Sequence, residues 1–173
     1  MVVPSLLLLA IGLLGAADIR FFHQRAHHLH DHAPARAELL THFLRGPTYA
    51  LLFAGVPNFR FAGGWLLALF AVLAFDVAIS IADFWLEPAS RAGRGGLPRG
   101  EYVLHVVIAM LFGALVAAIA YEAGPALAAP SALHWHDGVP AWLRLGLAAM
   151  AVGVFASWLS DLRAARRLAA RPQ

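Results

Sequence analysis

The chain has 173 residues, of which 61% are hydrophobic and 13% charged. Soluble domains carry about 25% charged residues, so long apolar runs with this little charge point to an integral membrane protein. All thirteen basic residues are arginine, and no basic face interleaved with aromatics appears, which argues for topology rather than nucleic-acid binding. Cysteine is absent, which excludes disulfides, thiolate metal sites, iron–sulfur clusters and cysteine nucleophiles.

The pattern predicts an all-α membrane protein, residues 1–173 forming one bundle of five transmembrane helices with no second domain. The first runs over about residues 3–25, with an interfacial continuation to His30. Its arginines, Arg20 and Arg25, follow the apolar run, which suits an uncleaved helix better than a signal peptide. A loop over 31–34 leads to the second helix, about 35–56. Gly46-Pro47 is expected to kink it, because proline removes a backbone hydrogen bond. Glu38, His42 and Arg45 lie in its first three turns, so its entry into the membrane is placed near Leu44. After a turn at Pro57-Asn58, the third helix covers about 63–86. The Gly-, Arg- and Pro-rich segment Pro88 to Gly100 reads as a loop. The fourth helix covers about 101–121. The loop 122–139 carries His134, His136 and Asp137, and the fifth helix covers about 140–162 before an arginine-rich tail.

Arginine sets the topology. Arg20, Arg25, Arg36, Arg45, Arg91, Arg94, Arg99, Arg163, Arg166, Arg167 and Arg171 fall on one side; Arg60 and Arg144 fall on the other. The positive-inside rule then puts the N-terminus outside and the C-terminus in the cytoplasm of a bacterial-type inner membrane.

Four pairs of metal-ligating residue types recur one helical turn apart: His23/His27, Glu38/His42, Asp83/Glu87 and Glu101/His105. Residues at i and i+4 share a helix face. The threading brings all four pairs to the cytoplasmic side, so these eight residues are the expected metal ligands. On the third helix Asp76, Ser80, Asp83 and Glu87 form a polar stripe with 4-3-4 spacing. Asp76 and Ser80 are the candidate catalytic groups. Asp76, near mid-span, requires a proton, a metal or a partner such as Arg20. Asp18 and Asp161 are candidate outer members.

Carboxylates and imidazoles on facing helices are how bundles hold two iron or manganese ions, although the spacing here is Glu-x-x-x-His and not the usual Glu-x-x-His. The segment His23-Gln-Arg-Ala-His27-His28 resembles one histidine box of the membrane fatty-acid desaturases and hydroxylases. The resemblance covers six residues, and the other boxes have no counterparts. The plainer reading makes Glu87 and Glu101 interfacial anchors and His30 and His32 a solvated run. His134 and His136 lie in the opposite loop and read as bystanders.

Three function classes compete. The first is a two-metal site, iron favoured and zinc or manganese the alternatives, that oxidises, hydroxylates or desaturates a lipid-like substrate with help from an electron-donor protein. The second is a zinc-dependent lipid hydrolase, with an Asp or Glu base and Ser80 nearby. The third is non-enzymatic: haem held by His42 and His105, or ion or metal transport.

Overall fold

The computed structural model describes residues 1–170, so Arg171 lies outside the described residues. The chain is mostly helical. Helix α1 (Val2–Asp18) passes directly into a π-helical segment, Ile19–Ala26. Two short 3-10 turns, Leu29–Asp31 and Ala33–Ala35, lead into α2 (Arg36–Gly55). Strand β1 (Phe59–Ala62) precedes α3 (Gly64–Arg91). Helix α4 (Arg99–Ala123), a 3-10 turn Gly124–Ala128, strand β2 (Ala132–Trp135) and α5 (Ala141–Ala169) complete the order.

Among the described residues, four helical stretches are long and apolar enough to cross a membrane: Val2–Ala26, Gly64–Arg91, Arg99–Ala128 and Ala141–Ala169. Helix α2, expected as a fifth span, falls outside this set because Arg36, Glu38 and Arg45 dilute its apolar content. It instead packs closely on α5, with Gly46 where the two approach: a Cβ there would lie 2.7 Å from Cδ1 of Trp158.

Three boundaries differ from the sequence reading. Helix α3 continues through Pro88 to Arg91, so the expected loop loses its first turn to the helix. Pro88 removes the backbone hydrogen bond to the Phe84 carbonyl, and the helix ends three residues later, at Arg91. Helix α5 likewise continues through the arginine-rich segment to Ala169. The segments expected as connections at the far end contain an antiparallel pair, with Phe59 opposite Trp135 and Ala62 opposite Ala132. Gly63 ends β1 at φ +53°, and a Cβ there would meet the Ala129 carbonyl at 2.5 Å, so only glycine fits.

The core at the β-pair end is apolar, built on Leu8, Phe53, Leu66, Leu73, Leu115 and Leu147. The outer surface is also apolar, and its exposed aromatics lie in two tiers. Trp65, Tyr121, Trp135 and Trp142 mark the β-pair end; Trp85 and Tyr102 mark the other. Trp65 and Trp85 share α3 and are twenty residues apart, or about 30 Å along the axis.

Candidate metal centre

The buried face of α3 explains how the site is placed. Leu66, Leu69, Leu73, Asp76, Ile79, Asp83, Glu87 and Ser90 recur at three- and four-residue intervals and are all buried. The apolar half of this stripe joins the core, and the acidic half faces the end of the bundle where α1, α2, α4 and α5 also bring polar groups. Asp83, at 3% exposure, and Glu87, at 2%, are as enclosed as the leucines below them.

The π-helical segment of α1 supplies the next part. Its hydrogen bonds run from residue i to i+5, as in His27 N–H donating to the Phe22 carbonyl at 2.9 Å. A five-residue turn brings Asp18 and His23, which an α-helix would splay apart, to the same side. The His23 Nε2 to Asp18 Oδ2 distance is 3.1 Å.

Two adjoining groups of ligand-type atoms result. Asp18, His23, Glu101 and His105 form one; His23, Glu38 and His42 form the other; within each group the atoms lie within 4.8 Å of one another. His23 belongs to both, and its ring stacks on that of His42 with centroids 4.7 Å apart and planes 6° from parallel. Around the first group, His105 Nε2 lies 3.2 Å from Asp18 Oδ2 and its Nδ1 lies 3.1 Å from Glu87 Oε1. His27 Nε2 lies 3.1 Å from Glu101 Oε2. Around the second, His42 Nε2 lies 3.4 Å from Asp83 Oδ1 and 3.9 Å from Glu38 Oε1.

All eight expected ligands therefore lie at one end of the bundle. Asp18, treated in the sequence as an outer member, belongs to the inner group. Asp161 lies to the side, 2.8 Å from His30 Nε2. Asp76 sits deeper, at 1% exposure. Its Oδ1 accepts from Arg45 Nε at 3.4 Å and Thr48 Oγ1 at 3.2 Å, so its cationic partner is Arg45, on the neighbouring helix, and not Arg20. Ser80 donates its hydroxyl to the Asp76 carbonyl at 2.8 Å. His134 and His136 are at the opposite end, on and beside β2.

The residue that the sequence reading missed is Arg91. The sequence pattern places it in the loop, yet it is fully buried between two carboxylates. Its Nη1 donates to Glu38 Oε2 and its Nη2 to Glu101 Oε1 at 2.5 Å. A planar fork suits this bridging, which a lysine could not reproduce. The signal was the stripe itself: Asp76, Ser80, Asp83, Glu87 and Arg91 continue at helical spacing, and Pro88 disguised it.

Two observations bear on what the site can hold. Several buried polar atoms make no hydrogen bond of good geometry: Asp18 Oδ1 and Glu38 Oε1, together with His23 Nε2, Glu87 Oε1 and His105 Nδ1, whose neighbours are the ion-pair contacts given above. In addition, among the described residues the buried carboxylates Asp18, Glu38, Asp76, Asp83, Glu87 and Glu101 are matched by two arginines, Arg45 and Arg91, and otherwise by the neighbouring imidazoles. Buried charge of one sign is costly unless protons or cations balance it. Burial, reinforced by the Arg91 guanidinium, lowers the pKa of His27 against the pull of Glu101, so its imidazole tends to neutrality.

A cavity of about 560 Å³ opens beside the cluster. Asp18, His23, His42 and His105 line one part of it, and Ile11, Phe53 and Met150 another. No family model, no curated protein and no solved structure matches the chain.

Proposed function

We propose that the chain is a membrane-embedded metalloenzyme that holds two metal ions, iron favoured, and uses them to oxidise, hydroxylate or desaturate a lipid-like substrate. The observation that carries this reading is the buried carboxylate–imidazole cluster, with more carboxylates than arginines and ligand atoms left without a well-formed hydrogen bond, opening onto a largely apolar cavity. Carboxylate and imidazole donors without thiolate suit iron or manganese, and two cations would balance what the two arginines leave over. His23, Asp18, Glu101 and His105 would hold one ion; Glu38 and His42 would hold the second, with Asp83 beside them. Glu87 lies against His105 and His27 against Glu101, where they orient those ligands. Bound iron supplies dioxygen chemistry, with electrons from a donor protein. The chain contributes a dry, shaped cavity and a fixed ligand geometry.

In this reading α2 is the fifth membrane element, the N-terminus lies outside and the arginine-rich cluster end faces the cytoplasm. The two aromatic tiers support the embedding, since their separation of about 30 Å equals the hydrocarbon thickness of a bilayer and tryptophan and tyrosine concentrate at its two interfaces. The cluster then lies level with the Trp85–Tyr102 tier, within reach of lipid headgroups.

A second reading, a zinc-dependent lipid hydrolase, is favoured by one feature. The group Asp18, His23, Glu101 and His105 is complete without its neighbour, and three such ligands plus water suffice for zinc.

Elemental analysis of protein purified without chelator or a histidine tag decides between these readings. Two equivalents of iron or manganese per chain support the first, and one of zinc the second. His105→Ala should lose metal while the protein stays inserted. Wild-type protein without stoichiometric metal would sink both. Reporter fusions at the C-terminus and in the segment between α3 and α4 should both report cytoplasm.

A further inference from the structure

The cavity beside the cluster has a floor, and its walls carry two gaps. The floor is where α1, α2 and α5 meet. A Cβ on Gly12 would lie 3.0 Å from Cζ of Phe53 and 3.4 Å from Sδ of Met150, so these three residues close the space. From the ligand His42 to Phe53 along α2 is eleven residues, as it is from His23 to Gly12 along α1. The α2 interval corresponds to about 16 Å of α-helix; the α1 interval is shorter, because part of it is π-helical. The cavity therefore extends from the cluster, near the headgroup tier, to about the middle of the bilayer.

Gly15 on α1 and Gly153 on α5 both line this space. A Cβ at either would have no neighbouring heavy atom within 4 Å. These glycines do not serve close helix packing, as Gly46 does; they leave room. Arg20, exposed and donating to Gln24, also lines the cavity, at the cluster end of α1.

We propose that this cavity receives one linear acyl chain with an anionic head, and that Gly12, Phe53 and Met150 measure its length. The chain enters sideways from the bilayer between α1 and α5, past Gly15 and Gly153. Its head stays level with Arg20 and its methyl end rests on the floor. This orientation is the one lipids already hold in the leaflet, so loading requires no inversion. The cluster lies along the upper part of the chain. The proposal deepens the metalloenzyme reading by naming the substrate class and specificity residues, and it rests on that reading only for the embedding of the cavity in the membrane.

The test uses the full-length protein in detergent. Saturated fatty acids of increasing chain length, and phosphatidic acids with matching chains, are titrated and binding is read by native mass spectrometry. Metal content is measured in parallel. Wild type should bind one chain per protein with a clear optimum in length. The fatty-acid and phosphatidic-acid arms separate a free carboxylate from a phosphate head. Gly15→Leu and Gly153→Leu should weaken binding at least tenfold with metal content unchanged. Met150→Ala should move the optimum to longer chains. Equal binding of all lengths by wild type, or an unmoved optimum in Met150→Ala, would overturn the measuring floor. Full binding by both glycine variants would overturn the sideways entry. Should the glycine variants not fold, Met150→Ala still decides the floor, and Ala16→Leu, on the same wall, decides the entry. Chain binding without metal would reject the metalloenzyme reading alone, and metal without chain binding would reject the tunnel alone.

Discussion

The two halves of α3 share one buried stripe and differ in what the stripe must satisfy. Leu66, Leu69 and Leu73 are buried to the same degree as Asp76, Asp83 and Glu87. In the first half burial asks only for close packing, which supplies dispersion contacts whether the surroundings are lipid or protein. In the second half each carboxylate has to find a cation, a donor or a proton. Periodicity determines which residues face inward on a helix; chemistry determines how many partners the neighbouring helices must provide. The acidic half is accordingly surrounded by Arg45, Thr41, Thr48 and His42 from α2 and His105 from α4, while Arg91, further along the same helix, pairs with Glu38 and Glu101.

Arg91→Met tests the difference most severely. It leaves Glu38 and Glu101 enclosed without their shared cation. Breaking one side of a buried ion pair costs about 3 to 5 kcal/mol. Thermal unfolding of chelated protein should drop by that amount, and added divalent metal should recover more of the loss in the variant than in wild type. A variant as stable as wild type would mean that Arg91 does not balance the carboxylates. In the apolar half, Leu73→Ala opens a void in place of a charge. Its cost is about 3 kcal/mol by cavity formation. Metal content should stay unchanged, and any metal loss would show that the two halves are not energetically separate.

Gly46→Ala lies between the halves, where α2 meets α5. Its new methyl would overlap Cδ1, Cβ and Cγ of Trp158, all within 2.9 Å, so the indole has to shift bodily. Overpacking of this kind costs about 1 to 3 kcal/mol. Because Trp158 also lines the cavity, tryptophan fluorescence should change with the loss of stability. An unaltered spectrum and unfolding midpoint would refute the close approach.

The helical architecture and its apolar spans were legible because they depend on hydropathy and period alone. The convergence of His23, His27, Glu38, His42, Asp83, Glu87, Glu101 and His105 at one end followed from counting turns and sides. What was hidden depended on local backbone geometry. Asp18 joins His23 only through a π-helical turn, whose five-residue step has no simple sequence signature. Arg91 was concealed by Pro88, read as a helix end when it lies within the last helical turn. Helix α2 is the element whose sequence points both ways: its length suits a fifth span, while Glu38, His42 and Arg45 in its first turns set it apart from the other four. The β-pair went unseen because four-residue strands leave too little alternation to detect.

Thr41→Val is the mildest test and the one most specific to the acidic half. The Thr41 hydroxyl lies 2.5 Å from Asp83 Oδ1 and 2.6 Å from the Glu38 carbonyl of its own helix. It carries a single proton, so these two acceptors share or compete for it. The backbone carbonyl at i−3 retains its helical hydrogen-bonding options if the hydroxyl is lost. Asp83 does not: its remaining contacts are Arg45 at 3.4 Å and His42 at 3.4 Å, both longer. Valine keeps the shape and removes the donor, so the stability loss should be about 1 kcal/mol. If the cluster binds metal as proposed, the larger consequence falls on metal affinity, because a ligand-orienting hydrogen bond is worth about 10- to 100-fold. Titrating metal into chelated wild-type and variant protein measures that factor directly. A weakened second equivalent with an intact first would place Thr41 and Asp83 beside the Glu38–His42 ion, and equal weakening of both would mean that the two groups act as one site through His23.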